Sequence, residues 1–197
     1  MFWDEVYSDT DYVYGKQPND FLKDNVSKLK GGSVLCLAEG EGRNAVFLAQ
    51  QGFSVTSVDS SMVGIEKTCA LADEFDVAVN AIHADLADFD FGEEEWDSIV
   101  SIFCHLPPQL RKNVHKKVIE GLRDGGVFLL EAYTPKQLHY GTGGPPSAEL
   151  MVELAMLVQE VDGLELRHQQ ELEREVIEGY KHNGMASVVQ LIGIRAK

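Results

Sequence analysis

Val34-Leu35-Cys36-Leu37-Ala38-Glu39-Gly40-Glu41-Gly42-Arg43-Asn44 runs from a short apolar stretch into two glycines one residue apart, then into a polar, helix-compatible segment. The order spells strand, tight turn and helix start. Glycine serves such a turn because a Cβ would hold the backbone away from a ligand's polar atoms. The open N–H groups of the helix start favour an anionic group, so the stretch reads as a nucleotide-type cofactor loop.

Outward from this loop the chain alternates between two periods. Residues 34–37, 54–58, 77–82, 98–103 and 126–132 read as strands. Residues 43–51, 62–75 and a segment opening at Pro107-Pro108 read as helices, with Gly52 and Gly121 as stops. Upstream, Pro18-Asn19-Asp20 precedes Phe21, Leu22, Val26 and Leu29, whose spacing predicts a helix ending before Gly31-Gly32. Downstream come a Gly/Pro-rich loop over 134–147, an amphipathic helix over 148–160, and strands over 165–176 and 185–196. Asn183-Gly184 reads as the hairpin turn between these last two. The class is α/β, a doubly wound parallel sheet closed by an antiparallel pair. Glu171, Glu173, Glu175 and Glu178 are expected on the solvated face of a strand.

At 197 residues the chain suits one domain, with residues 1–30 as an N-terminal aromatic lid and helix. A formal charge of −15 opposes phosphate backbones and anionic lipid, so nucleic acid and membrane are not expected partners. The start Met1-Phe2-Trp3-Asp4-Glu5 lacks the basic and apolar signature of a leader, and the protein reads as cytoplasmic. Cys36, Cys69 and Cys104 form no CxxC pair and are expected as reduced core or near-core thiols. The six histidines show no HxH or HExxH spacing, so no metal site is expected. Oligomeric state is not legible here.

Gly40-Glu41-Gly42-Arg43-Asn44-Ala45 also satisfies the relaxed dinucleotide pattern, and Asp59 at the end of the second strand suits the ribose of NAD and of S-adenosylmethionine equally. Asp59 could instead cap the helix that starts at Ser60-Ser61-Met62. The exit of the third strand separates the two cofactors: in His83-Ala84-Asp85-Leu86, Asp85 can accept from an adenine amine while Leu86 offers an N–H and an apolar surface. The fourth strand leads into Phe103-Cys104-His105, which an order of 3-2-1-4-5 would set opposite Gly40.

With these residues in place the chain resembles the class I S-adenosylmethionine-dependent methyltransferases, and within them the small tellurite-resistance and thiopurine-methyltransferase-like group. The closer likeness rests on Phe2-Trp3-Asp4-Glu5-Val6-Tyr7, Tyr14-Gly15-Lys16-Gln17-Pro18-Asn19-Asp20-Phe21-Leu22, the glycine loop, and Ser101-Ile102-Phe103-Cys104-His105-Leu106-Pro107. The resemblance implies a Rossmann-like seven-stranded sheet in order 3-2-1-4-5-7-6, with strand 7 antiparallel. It also implies S-adenosylmethionine as cofactor and a small soft nucleophile, a thiol or a selenium or tellurium oxyanion, as acceptor. A nicotinamide-dependent oxidoreductase and a non-catalytic adenosyl-binding protein are the alternatives. The chain departs from the family's loop, with Cys36 at the usual acidic place and Ala38 at the first glycine, so Glu39 is expected to supply the carboxylate.

The expected cofactor set is Glu39, Gly40, Gly42, Arg43, Asn44, Asp59, Ser60, Asp85, Leu86 and Phe103, with Arg43 toward the cofactor carboxylate or an anionic acceptor, or else a helix-surface arginine. His105, Tyr14 and Tyr7 are the candidate catalytic residues, and His182 is a second histidine of interest. Phe2, Trp3, Tyr7, Tyr12 and Tyr14 crowd the N-terminal segment, either as a lid over a sulfonium or as a packing clasp. The loop from Gln137 through Gly141, Gly143 and Gly144 to Pro145 is a further wall.

Overall fold

The computed structural model describes residues 2–196; Met1 and Lys197, the ends of the expected 1–197 domain, lie outside the described residues. A short helix α1 (Phe2–Tyr7) and α2 (Asp20–Asn25) precede β1 (Ser33–Leu37), α3 (Arg43–Gln50), β2 (Ser54–Asp59), α4 (Met62–Glu74) and β3 (Val79–His83). Then follow β4 (Trp96–Ile102), α5 (Pro108–Gly121), β5 (Leu122–Tyr133), α6 (Leu154–Glu160), β6 (Leu164–Glu178) and β7 (His182–Arg195). The strands form one seven-stranded sheet in the order β3-β2-β1-β4-β5-β7-β6. β7 runs antiparallel to both its neighbours, and the other pairings are parallel.

Period-two alternation splits the core into two layers. Val34 and Cys36 of β1 face Phe21 and Leu22 of α2 and Leu48 of α3. Leu35 and Leu37 face Val114 and Val118 of α5 and Leu157 of α6. A strand covered on both faces must be apolar throughout, which is why β1 reads as an unbroken run. The strand order reverses between β1 and β4, so their carboxyl ends open a crevice.

Several expected boundaries move. β3 begins two residues later than the apolar run, because Asp76 takes a left-handed turn and Val77 hydrogen-bonds back to the carbonyl of Ala72. β4 stops at Ile102, since Phe103 adopts a positive φ of 52°. β5 starts at Leu122, paired with Trp96 ahead of a register irregularity. Gly121 closes α5 from within it; its lack of a Cβ lets the backbone lie against the Phe91 carbonyl, where an added Cβ would sit 3.1 Å away. The stretch 148–160 is a 3-10 turn, Ala148–Leu150, followed by the shorter α6.

The hairpin turn lies at residues 179–181, not at Asn183-Gly184, which pair within β7 against Ile177 and Val176. The N-terminal segment is the reason: the Tyr180 N–H donates to the Val13 carbonyl, and Gly179, at φ 63°, leaves no room for a Cβ beside it. Of the cysteines, Cys36 is buried and Cys104 half-buried, while Cys69 is exposed on α4, against the expectation of a near-core thiol. Glu171, Glu173 and Glu175 are solvent-facing as expected, but Glu178 is buried. It lies an odd number of residues from the other three, so the pleat turns it to the opposite face.

There Glu178 joins a buried polar network. Its carboxylate accepts from Arg43 at 2.5 Å and from the Asn19 amide at 2.8 Å. Asn19 also donates to Glu131 at 2.6 Å, and Glu131 accepts from Arg174 and Gln190. Meanwhile the Asn19 side-chain oxygen caps α2 by accepting from the Leu22 N–H. Burial opposes the charge on Glu178, but Arg43 and His182 outweigh it and hold the carboxyl at about 2. Beneath α5, Arg111 and His115 do the same for Glu160, also held at about 2 against desolvation.

Two outcomes follow from this packing. Gly42 has φ 90°, and an added Cβ would lie 2.8 Å from the Thr68 Cα, so Gly42→Ala should cost about 2–4 kcal/mol in urea unfolding. Glu178 and Glu160 titrate in the unfolded chain near their ordinary 4.5, so their stabilisation is complete above that pH and is lost as pH falls toward 2. The urea midpoint should therefore drop steadily below pH 4.5, and Glu178→Gln should lower it at pH 7 while making the acid loss shallower.

Candidate active site

The glycine loop is held by two carboxylates. Asp59, at the end of β2, accepts from the Gly40 N–H at 2.8 Å with one oxygen and from the Ser61 N–H at 2.8 Å with the other. Ser61, and not Asp59, is the side-chain cap of α4, accepting from the Gly64 N–H. Glu39 turns one oxygen onto the start of α3, where it accepts from the Asn44 and Ala45 N–H groups, both at 2.9 Å. This corrects the expectation of an anion-binding helix start: those N–H groups already hold an anion from the chain itself. Desolvation raises the Glu39 carboxyl to about 7, even though the two N–H groups and Arg43 favour its charge. Ala38, at the place of a family glycine, takes φ 47° and so follows the glycine path at some steric cost.

The carboxyl ends of β1 to β4 surround a cavity of about 750 Å³, within the usual range for small-ligand sites. Glu39, Arg43 and Asn44 line it from the first loop, and Asp59 and Ser60 from the second. Asp85 and Leu86 enter from the third, Phe103 and His105 from the fourth. Gly40 and Gly42 lie behind this lining: a Cβ on Gly40 would sit 2.6 Å from the Tyr7 hydroxyl. The third loop is pinned by Lys117 of α5, which donates to the carbonyls of Leu86, Ala87 and Phe89.

Tyr7 and Tyr14 bring the N-terminal segment to the same cavity, together with Phe2 and Trp3. Glu41 holds that segment down, accepting from the Val13 and Tyr14 N–H groups at 3.2 Å while Lys67 donates to it at 2.8 Å. Asp4 accepts from the Ser61 hydroxyl at 2.7 Å, fixing α1 against the start of α4. Burial raises the Tyr7 phenol well above its ordinary value and the Tyr14 phenol to about 12, so both stay protonated donors at neutral pH.

The inner wall is a layer of rings. Phe103 stacks on Tyr133 at 4.5 Å between centroids, and His105 lies parallel to Tyr133 at 5.4 Å. His182 stands on edge against Tyr133 and 4.5 Å from Tyr14. The Leu150 carbonyl, 3.2 Å from His105 Nδ1, accepts from it and so assigns the proton to that nitrogen. His105 Nε2 is closed from solvent and has no partner within the described residues, as are the Tyr133 hydroxyl and His182 Nδ1. Desolvation, aided by His182, lowers the His105 pKa to about 3 and keeps the ring neutral. Arg111 steadies the turn behind it by donating to the Met151 carbonyl at 3.2 Å.

Every side chain of the expected cofactor and catalytic sets lines the cavity, while Tyr12 of the expected lid and residues 137–140 of the expected wall do not, and Arg43 arrives already engaged by Glu178 and by the Gln17 carbonyl. Sequence reading missed Glu41, Glu178, Tyr133 and Leu150. Of these only Glu178 carried a signal, its break in the alternation of acids.

Residues 34–126 match a family model described as a methyltransferase domain. The chain is 27% identical over 111 residues to the uncharacterized methyltransferase YbaJ of Bacillus subtilis (strain 168), covering 56% of this chain. It spans only 44% of that relative's length. Among solved structures it is similar in fold to one reported for the conversion of a disulfide bond into a thioacetal group during echinomycin biosynthesis. That likeness has TM-score 0.80 at 19% identity, over 99% of this chain and 91% of the other. TehB from Haemophilus influenzae is similar with TM-score 0.72 at 20% identity, over 88% of this chain and 61% of that one. The family match begins on β1 and runs through the crevice into β5, on a sheet of the order that the resemblance implied, so residues 34–126 are similar to a methyltransferase domain.

Proposed function

We propose that this protein methylates a small soft nucleophile of the thiol, selenium or tellurium type, holding S-adenosylmethionine across the exits of β1, β2 and β3. The carrying observation is the charge of the crevice: Glu39, Asp59 and Asp85 line it, while the Arg43 guanidinium is neutralised by Glu178. Such a wall suits a cationic cofactor. Glu39, with one oxygen on α3, offers the other to the methionine ammonium, while Asp59 accepts from the ribose and Asp85 and Leu86 hold the adenine. Gly40 and Gly42 shape the turn, Asn44 and Ser60 complete the polar rim, and Phe103 packs beneath.

Bound S-adenosylmethionine supplies a methyl group on a sulfonium, and the protein's task is then to hold an acceptor in line and dry. Near-attack positioning at about 3–3.5 Å is the main source of acceleration expected for such a transfer. The aromatic N-terminal segment, clamped by Glu41, acts as the lid that excludes water. Rings at the inner wall favour a polarisable sulfur or selenium atom over a hard, strongly hydrated one. The overall acidity of the chain argues against a nucleic-acid acceptor.

Calorimetry with S-adenosylhomocysteine and with NADH is expected to give binding of the first alone; tight NADH binding without the other would overturn the reading. Asp59→Ala should weaken S-adenosylhomocysteine binding by about 1.5–3 kcal/mol, and an unchanged affinity would reduce Asp59 to a loop-holding role. Because Glu39 titrates at about 7 in the free protein and a nearby ammonium favours its charged form, binding should release a proton. Affinity should rise about tenfold from pH 6 to pH 8, and Glu39→Gln should flatten that rise.

A further inference from the structure

Within the proposed reading, the cavity's inner wall separates two kinds of soft acceptor. One is a neutral molecule that still carries its proton on the nucleophilic atom; the other is a preformed oxyanion. An oxyanion needs cations or N–H donors. Among the described residues, the cationic side chains lining the cavity are Arg43, engaged by Glu178, and Lys181 on the exposed hairpin turn. The N–H groups of Asn44 and Ala45 at the start of α3 are engaged by Glu39.

The O–H donors near the cavity, Tyr7, Tyr14 and the unpartnered Tyr133 hydroxyl, are neutral, and beside them the inner wall offers a hydrogen-bond acceptor with nothing to accept. The contact from His105 Nδ1 to the Leu150 carbonyl leaves a lone pair on Nε2, and that atom has no partner. A buried polar atom without a partner is costly, so its retention here calls for a donor that arrives from outside. Residues 141–144 carry three glycines at positive φ and pack closely on the rings beside His105. An added Cβ on Gly143 would lie 2.7 Å from the His182 ring, and one on Gly144 2.8 Å from the Tyr133 ring. The loop therefore covers the rings and leaves little room beside them.

We infer that the methyl acceptor enters as a neutral X–H species, a thiol or selenol, and that His105 Nε2 receives its hydrogen bond and, as the bond to the methyl carbon forms, its proton. The X–H bond breaks toward X, and the freed lone pair on X forms the bond to the methyl carbon. As it forms, the carbon–sulfur pair of the sulfonium returns to sulfur and leaves a neutral thioether. One positive charge disappears from sulfur as one appears on imidazole, so the buried site never holds an extra charge. His105 returns its proton to water when the products leave. The groups facing the ring are His182 of β7, Tyr133 of β5 and Arg111 of α5, none of them an anion that would stabilise a lasting imidazolium. Its low pKa keeps Nε2 unprotonated through the neutral range, and a base this weak takes the proton only as the new bond to carbon acidifies X–H.

The test uses the full chain with S-adenosylmethionine, 2-mercaptoethanol as the X–H probe, and selenite and tellurite as oxyanion probes. At saturating S-adenosylmethionine, wild type should methylate the thiol in preference to both oxyanions, with kcat/KM for the thiol nearly flat from pH 6 to 8. His105→Asn, which can still donate to the Leu150 carbonyl, should lose about 100-fold at pH 7. Its remaining rate should climb about tenfold per pH unit with the thiolate fraction, and S-adenosylhomocysteine affinity should not change. Nitrogen-15 NMR of the S-adenosylhomocysteine complex gives a readout independent of turnover: His105 should be the neutral Nδ1–H tautomer at pH 6, with Nε2 shifting on addition of the thiol. A parallel loss at every pH, an imidazolium at pH 6, preferred turnover of selenite or tellurite, or cofactor binding without turnover of the thiol would each overturn the inference. Failure to bind S-adenosylhomocysteine at all would instead overturn the reading on which it rests.

Discussion

The ion pair between Arg43 and Glu178 ties the molecule together at a point where it had no freedom to leave either charge alone. Both side chains are buried, and a buried charge without its partner is strongly destabilising. Once the pair forms, α3 is fixed to the end of β6, and the tip of the terminal hairpin is brought to the mouth of the crevice. Asn19 extends the link, because its amide spans Glu178 and Glu131 while its oxygen caps α2. The N-terminal segment, the glycine loop and the last two strands thus share one polar anchor, and His182 rides beside it at 3.7 Å from Glu178.

That anchor also sets the electrostatics of the crevice. With Arg43 neutralised, the acids that line the cavity are left to define its character. Glu39 adds to this by capping α3 with its own carboxylate, which turns an anion-seeking helix start into a support for a negative group. Within the same loop Ala38 takes a left-handed path ahead of Gly40, and Glu39 directs its carboxylate from the turn onto α3.

The site divides into a polar half and a ring-lined half. Hydrogen bonds to loops at the ends of β1, β2 and β3 shape the first, where Asp59 and Lys117 hold backbone in place. Stacking of Phe103, Tyr133 and His105 shapes the second, from strands β4 and β5 and from the loops that follow them. The left-handed turn at Phe103, held by its N–H to the Glu131 carbonyl at 2.8 Å, swings His105 into that layer. Backbone held in this sparsely occupied region is characteristic of functional sites.

The sequence by itself determined the alternation of strands and helices, the glycine turn after the first strand and the acids at the strand exits. Each of these rests on local physics: an apolar period, a glycine that must take positive φ, a carboxylate placed directly after a strand. Leu35 and Leu37 had to face opposite Val34 and Cys36 whatever else the chain did. The polar partnerships were decided only by the tertiary structure, because they join residues far apart in the chain. Arg43 could be read as a cofactor ligand until Glu178, 135 positions away, was found to hold it. Asn183-Gly184 could be read as a turn until Val13 captured Tyr180 and moved the turn upstream. His105 was legible as a histidine at the crevice, but its tautomer and its unpartnered nitrogen depend on the Leu150 carbonyl, which no spacing rule brings near it.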